Sequence, residues 1–299
     1  MNSTARVHVV TDTGCSFRPG DPDAKENQID LIPLQLSILE NGEWKTKQET
    51  EIAPGQFYTI MKRMIAEQGE LPKTSGLNPG LAREMYLKLF QQDKVGSVYS
   101  VHITGAHSQA WDSAHLGAEQ AREEMGEDLP IIVADSKQLT IGQWWVAKHA
   151  ARIAQMGASL KQVAEEAAQL LPKIQVLAVL ENFENLKRGG RADQIKGHLA
   201  SLMSALTIHP ILGFRDGKLD IFGRARNAVK ARGKMFEIAL DRGNLANLAV
   251  IHTNALEMAT EARYTLARAY RGFIEIVDAG PALAVHAGER AVGVVSQLV

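Results

Sequence analysis

The chain has 299 residues, 45% of them hydrophobic and 22% charged, and carries a net charge of -1. That length fits two domains better than one, the composition excludes a long disordered or fibrous chain, and no apolar run reaches the roughly 18–20 residues of a membrane helix. One cysteine, Cys15, leaves no internal disulfide to form, and the first ten residues lack a charged region followed by a long apolar stretch, so a cytoplasmic protein is the expectation.

The near-neutral total argues against general nucleic-acid binding, but it conceals an asymmetry. Residues 186–235 hold eleven Lys and Arg against three acids, a local +8 that leaves -9 for the remainder. Such a split suits an anionic ligand or an acidic partner facing the second half, or else a solvated basic face.

Taken in order, residues 7–11 (VHVVT) read as a first strand. Residues 29–39 (IDLIPLQLSIL), Asn41-Gly42 and 43–46 (EWKT) read as a hairpin, because Asn-Gly suits a turn with positive φ. Pro54 opens a helix to about Gln68, with Phe57, Ile60, Met61 and Met64 as its apolar stripe. A second helix is predicted from Pro79 to Gln92, a strand over 95–104, a helix over 110–125 and a strand over 130–135. Helices around 142–156 and 159–171 follow, and Pro172 offers a boundary. Beyond it, strands fit at 174–180, 209–214, 218–222, 247–252 and 273–278, and helices at 196–206, 227–241 and 255–271. The alternation predicts an α/β fold of largely parallel sheets flanked by helices, in two domains, 1–172 and 173–299.

In open α/β sheets ligands collect at the carboxyl ends of strands. Three such ends carry hydroxyls or acids: Thr11-Asp12-Thr13-Gly14, Ile103-Thr104-Gly105-Ala106-His107-Ser108, and Asp135-Ser136. These turns can present N–H groups to an anion, and they can equally be helix caps. Pro72 to Pro79 reads as a loop whose Thr74-Ser75 pair offers two hydroxyls, or as a turn ending in an N-cap at Asn78. In Asn185 to Arg191 the paired glycines permit tight backbone geometry, and Arg191 could meet a carboxylate or phosphate with its planar fork. A helix C-cap with solvated basic residues is the other reading. Asp216-Gly217 marks a hairpin whose second strand would carry Arg224 and Arg226 on one face. There is no HExxH, GxSxG, GxxxxGK[ST] or GxGxxG pattern, so zinc, nucleophile-elbow, P-loop and dinucleotide readings lose their main support.

In order along nearly the whole chain, these segments resemble the DegV family of bacterial fatty-acid-binding proteins. Val10-Thr11-Asp12-Thr13 corresponds to its opening strand ending in Asp-Ser, and Thr74-Ser75 to its Thr-Ser loop. Ile103 to Ala114 matches its serine-rich stretch with Ser108 in the central serine position, and Asp135-Ser136 its next Asp-Ser. Leu186 to Arg191 matches Leu-x-x-Gly-Gly-Arg. His209-Pro210-Ile211-Leu212 with Asp216-Gly217 matches Lys-Pro-Ile-Leu then Asp-Gly. Val285-His286-Ala287-Gly288 resembles its terminal His-Thr-Gly-Pro-Gly. Gln109, His209 and Glu289-Arg290 depart from the pattern.

The resemblance implies a two-domain α/β protein with a ligand cleft between domains. It implies a long-chain fatty acid whose carboxylate is met by Thr74, Ser75 and Ser108, with Arg191 and His286 near the headgroup. It further implies presentation of the acid to a separate ATP-dependent fatty-acid kinase, for which Arg224 and Arg226 are the docking candidates, with no catalysis by this chain, no cofactor and at most transient membrane contact. The other open reading is a small-molecule α/β enzyme of phosphoryl-transfer or sugar-acid type, using Asp12, Asp135 and Arg191.

Overall fold

The computed structural model describes residues 6–126, 128–181, 183–189 and 208–299. In chain order the first half runs β1 (Val7–Asp12), α1 (Pro22–Asn27), β2 (Ile29–Ile32), β3 (Leu34–Glu40), β4 (Glu43–Gln48), α2 (Pro54–Gln68), β5 (Lys73–Leu77), α3 (Pro79–Gln91), β6 (Ser97–His102), α4 (Ala110–Met125), β7 (Ile131–Asp135), α5 (Thr140–Gln155) and α6 (Leu160–Leu170). The second half runs β8 (Ile174–Val179), α7 (Glu184–Arg188), β9 (His209–Arg215), β10 (Lys218–Ala225), α8 (Ala228–Leu240), β11 (Leu245–His252), α9 (Leu256–Leu266), β12 (Ile274–Asp278), α10 (Pro281–Ala287) and β13 (Val292–Leu298). The helix expected at 196–206 lies outside the described residues. Among the described residues no helix is long and apolar enough to cross a membrane.

The chain forms two units. The first comprises Met1–Gln35, Gln48–Thr50 and Ser75–Leu171, and the second Leu36–Lys47, Glu51–Thr74 and Pro172–Val299. The passage at 171/172 lies beside the expected division at Pro172, while two earlier segments group with the second unit. Pro33 lies three residues before the first of these segments. It has no N–H to give to a ladder, and the apolar run around it divides into β2 and β3, which belong to different sheets. Only β3 and β4 form the expected hairpin, on Asn41 and Gly42 with φ of 53° and 82°.

The first unit is built on the parallel sheet β2-β1-β6-β7. β6 is buried at every position, as a parallel strand covered on both faces should be. α5 packs on β1 and β6, and α4 on β6 and β7. α3 and α4 also pack on each other, and Gly117 sets their separation. A Cβ there would stand 2.6 Å from the Ala82 Cβ and 2.7 Å from the Pro79 carbonyl oxygen.

The second unit is built on the six-stranded sheet β10-β9-β8-β13-β11-β12. It departs from the largely parallel expectation: β11 and β12 run parallel, and the other pairs run antiparallel. Two of these antiparallel pairs come from β13, a strand the sequence reading did not assign, which lies between β8 and β11 and opposes both; the β9–β10 pair is the hairpin expected at Asp216-Gly217. α8 places Ala231, Met235 and Ala239, one above another on a helix face, against Leu177, Val179 and Ile211.

Two glycine substitutions should separate space from propensity. Gly117→Ala overpacks the α3–α4 crossing and is expected to cost about 1–3 kcal/mol. Gly233→Ala, on an exposed turn of α8 with nothing within 4 Å of the new methyl, should gain about 0.5–1 kcal/mol. Urea unfolding of the two variants beside wild type measures both.

Candidate functional site

The strand ends of the first unit fall into two kinds. Asp12 closes β1 with no exposure to solvent. Its Oδ1 accepts from the Gly14 N–H at 2.8 Å and the Gln143 side-chain amide at 3.1 Å. Its Oδ2 accepts from the Ile103 N–H at 3.0 Å and lies 2.9 Å from His102 Nδ1. The His102 ring continues through Nε2 to Ser100 Oγ at 2.8 Å, and the Tyr86 hydroxyl donates to that oxygen at 2.8 Å. This is a closed network of buried groups in which each carboxylate oxygen is used twice. The capping reading of Asp12 therefore fits the geometry, and the enzymatic reading loses its first acid. Asp135 takes the Lys137 N–H on Oδ1 at 2.7 Å, a local turn at the end of β7. Among the described residues no group of three or more His, Cys, Asp or Glu is placed to hold a metal ion. Burial pushes the Cys15 thiol well above its usual range, the setting of a structural cysteine.

The loop after β6 is of the other kind. Ser108 is half-buried at the start of α4, and its Oγ accepts from the Ala110 N–H at 3.1 Å. A hydroxyl used as an acceptor still has its hydrogen to donate. Gly76 of β5 lies against the same helix start, with its Cβ position 3.7 Å from the Ala110 nitrogen. Gly76 thus lies beside Gln109 and Ala110, the residues that follow Ser108, within the first unit.

Thr74-Ser75 sits on strand β5 and not on the expected loop. Adjacent strand residues project to opposite faces, and Thr74 is half-buried whereas Ser75 is exposed. The two hydroxyls are not a side-by-side pair. Asn78 caps α3 as expected, accepting the Gly80 N–H at 2.8 Å.

In the second unit Thr74 meets His286. Thr74 Oγ1 and His286 Nε2 are 2.9 Å apart, across 212 positions of sequence. His286 lies in the last turn of α10. With its proton on Nε2, the neutral imidazole donates to Thr74 and leaves the threonine O–H for a ligand; with its proton on Nδ1 it takes that hydrogen for itself. Gly189 approaches the ring from the other side: a Cβ there would stand 2.6 Å from His286 Nδ1. Gly189 follows α7 with a φ of -76°, so its glycine serves space rather than an unusual backbone angle. Gly190 and Arg191, the rest of that motif, lie outside the described residues.

The sequence reading also missed Asn185. It is buried in α7, and its Nδ2 donates to the Val285 carbonyl oxygen at 3.0 Å. Its only signal was an amide beside the apolar Leu186 in a short helical segment. At the carboxyl ends of β11 and β12, His252 and Asp278 face each other at 3.6 Å, and the Tyr58 hydroxyl donates to Asp278 at 3.4 Å. Burial and the Asp278 charge push the Tyr58 hydroxyl up, and burial pushes His252 down. Glu289, one of the departures, is held by Lys62 at 3.0 Å and Asn254 at 3.0 Å. This cluster fastens α2 to the strand ends with its own partners. Arg224 is exposed near the end of β10, and Arg226 is exposed just beyond it, so only the first is on the strand.

If Asp12 is structural, Asp12→Ala strands two N–H donors and an imidazole in the core. The expected loss is about 3 kcal/mol or more of stability, read from the urea midpoint; an unchanged midpoint would restore Asp12 as a free functional acid.

A family profile described as an uncharacterised protein of the DegV family matches residues 6–298. A DegV domain-containing protein of Lactococcus lactis is 26% identical over 287 residues, covering 94% of this chain and 95% of that one. Among solved structures, a DegV family protein of Ruminococcus gnavus refined with vaccenic acid is 25% identical, with a TM-score of 0.80 over 97% of this chain and 99% of its own. Bacillus subtilis DegV, described as a fatty acid binding protein, is 24% identical with a TM-score of 0.83 over 99% of this chain and 100% of its own. With residues 6–298 matched and the motifs in order, the chain belongs to the DegV family.

Proposed function

We propose that this chain binds a long-chain fatty acid, meets its carboxylate with Thr74, Ser75, Ser108, Arg191 and His286, and presents it to a separate fatty-acid kinase. The observation that carries the reading is the 2.9 Å contact between Thr74 and His286. Two polar residues that the family motifs single out, distant in sequence, are drawn to one point of the second unit. Vaccenic acid in the Ruminococcus gnavus relative supports the ligand class.

The energetics are sufficient. An acid of roughly 16 carbons buries on the order of 14 methylenes at about 0.8 kcal/mol each. That gross of roughly 11 kcal/mol must offset lost ligand freedom and rotors, leaving room for micromolar or tighter binding. The carboxylate cannot be buried bare, since desolvation costs several kcal/mol. Hydroxyl hydrogen bonds and one cationic fork answer that cost. In this reading the Nε2–H tautomer of His286 turns the Thr74 hydrogen toward the acid. The chain presents the acid and does not transform it.

Thr74→Val and Ser108→Ala should each weaken oleate binding by about 1.5–3 kcal/mol. Ser75→Ala should do less, because Ser75 is exposed and its hydroxyl is the least desolvated of the set. Arg191→Lys should keep weak binding, having lost two-point contact. A fluorescent fatty-acid titration in which Thr74→Val and Ser108→Ala both bind as wild type would reject the site.

The kinase step has its own measurement. Arg224→Glu with Arg226→Glu reverses two exposed charges and should leave oleate affinity intact. With a cognate kinase and ATP, it should slow acyl-phosphate formation much as added salt does, because exposed charges are screened over about 10 Å at 0.1 M. Loss of oleate binding with an unchanged rate at saturating lipid would reject these residues as docking contacts.

A further inference from the structure

We propose that Asn185 is a positioning residue for the Thr74–His286 pair, and that α7 is the element that holds both partners in register. The inference rests on the carboxylate reading above and deepens it. Asn185 touches neither Thr74 nor the imidazole through a hydrogen bond of its own; it acts on the backbone that carries the ring.

Three independent contacts lead from this five-residue helix to the pair. First, the buried Asn185 amide donates to the carbonyl of Val285, the residue immediately before His286, at 3.0 Å. Its Oδ1 also lies 3.2 Å from the Cβ position of Gly288, whose φ is 71°. Asn185 therefore brackets His286, reaching the residue before it and the glycine two residues after it. Second, the backbone of α7 bends into Gly189 with the Gly189 N–H on the Asn185 carbonyl oxygen at 2.8 Å. That turn places the bare Gly189 Cα against His286 Nδ1, where a methyl would stand at 2.6 Å. The ring cannot swing toward α7. Third, Arg188 donates from its guanidinium to the carbonyl oxygen of Gly69, the C-cap of α2. Five residues later the same segment delivers Thr74. One short helix thus fixes the imidazole from the Nδ1 side and ties down the segment that supplies its Nε2 partner.

A five-residue helix contributes little stability by itself. Its buried amide is expensive to leave unpaired, which gives the contact its specificity: Asn185 fits only when the last turn of α10 presents the Val285 carbonyl. A hydrogen-bonding pair built from two mobile surfaces would be loose by the amount that separates a good site from a poor one, and a supporting shell removes that freedom.

The test is a double-variant cycle on the full chain with oleate as the probe. Asn185→Leu refills the buried volume without a donor, and should weaken oleate binding by about tenfold, the size of one buried hydrogen bond. His286→Ala should weaken it too. In the His286→Ala background Asn185→Leu should cost nothing further, because there is no ring left to position. Gly189→Ala, which pushes on the ring directly, should lose oleate affinity in the same way. Additive losses in the double variant would overturn the proposal. The imidazole ¹⁵N and ¹H resonances of His286, followed without ligand, supply a readout that a merely stabilising residue would not move. Asn185→Leu should shift them with the thermal midpoint nearly kept; unshifted resonances overturn the proposal. If His286→Ala leaves oleate binding unchanged, the carboxylate reading fails, and the resonances alone then decide whether Asn185 positions the ring.

Discussion

A carboxylate with no access to water organises the N-terminal unit. Asp12 stands at the end of the first strand, and its two oxygens gather the turn after β1, the backbone after β6, the first helical turn of α5 and the His102 ring. Desolvating such a group is tolerable only when every lone pair is answered, so the four segments must arrive together. The parallel sheet holds its strand ends level partly because they share this one acceptor. The loop that carries Ser108 follows directly from the Ile103 N–H that Asp12 binds, so Asp12 sets where that loop begins.

The second unit meets a similar demand with crowding rather than charge. His286 is confined by a missing methyl at Gly189 and a hydroxyl at Thr74. Asn185 holds the carbonyl just before it. Polar precision here comes from backbone groups that hold one another: the Val285 carbonyl takes the Asn185 amide, and the Asn185 carbonyl takes the Gly189 N–H. The cluster around Asp278 and Glu289 does the same for α2.

Much of this was legible in the residues. Asn41-Gly42 gave the hairpin turn, Asn78 the start of α3, and the apolar stripe of Phe57, Met61 and Met64 the buried face of α2. What stayed hidden depended on tertiary partners. Thr74 and Ser75 sit among Lys, Gly and Pro, which read locally as a turn; only pairing within the sheet makes them a strand. β13 is a short apolar run of the sort that periodicity does not distinguish from other buried segments, and missing it hid the two antiparallel pairs at the centre of the second sheet. Pro33 was visible, but its effect, sending β2 and β3 to different sheets, is a statement about topology. Gly189 was noticed for the wrong property: conformational freedom was expected, whereas the histidine that needs its space lies 97 positions later, a contact no local pattern reports.

The placement of β13 has a consequence for how the protein is made. Residues 292–298 fill an interior position of the six-stranded sheet, between β8 and β11. The same unit also takes in residues 36–47 and 51–74 from far upstream. As the chain leaves the ribosome, the N-terminal unit has all its strands once β7 has emerged, and can close early. The second unit then carries an open gap between β8 and β11, with unsatisfied ladder groups on both sides, until nearly the last of these residues is synthesised. Such long-range pairing is slow and leaves exposed edges while it waits. The interval between residues 252 and 292 is therefore a stretch of synthesis in which both neighbours of β13 exist and the strand that joins them does not.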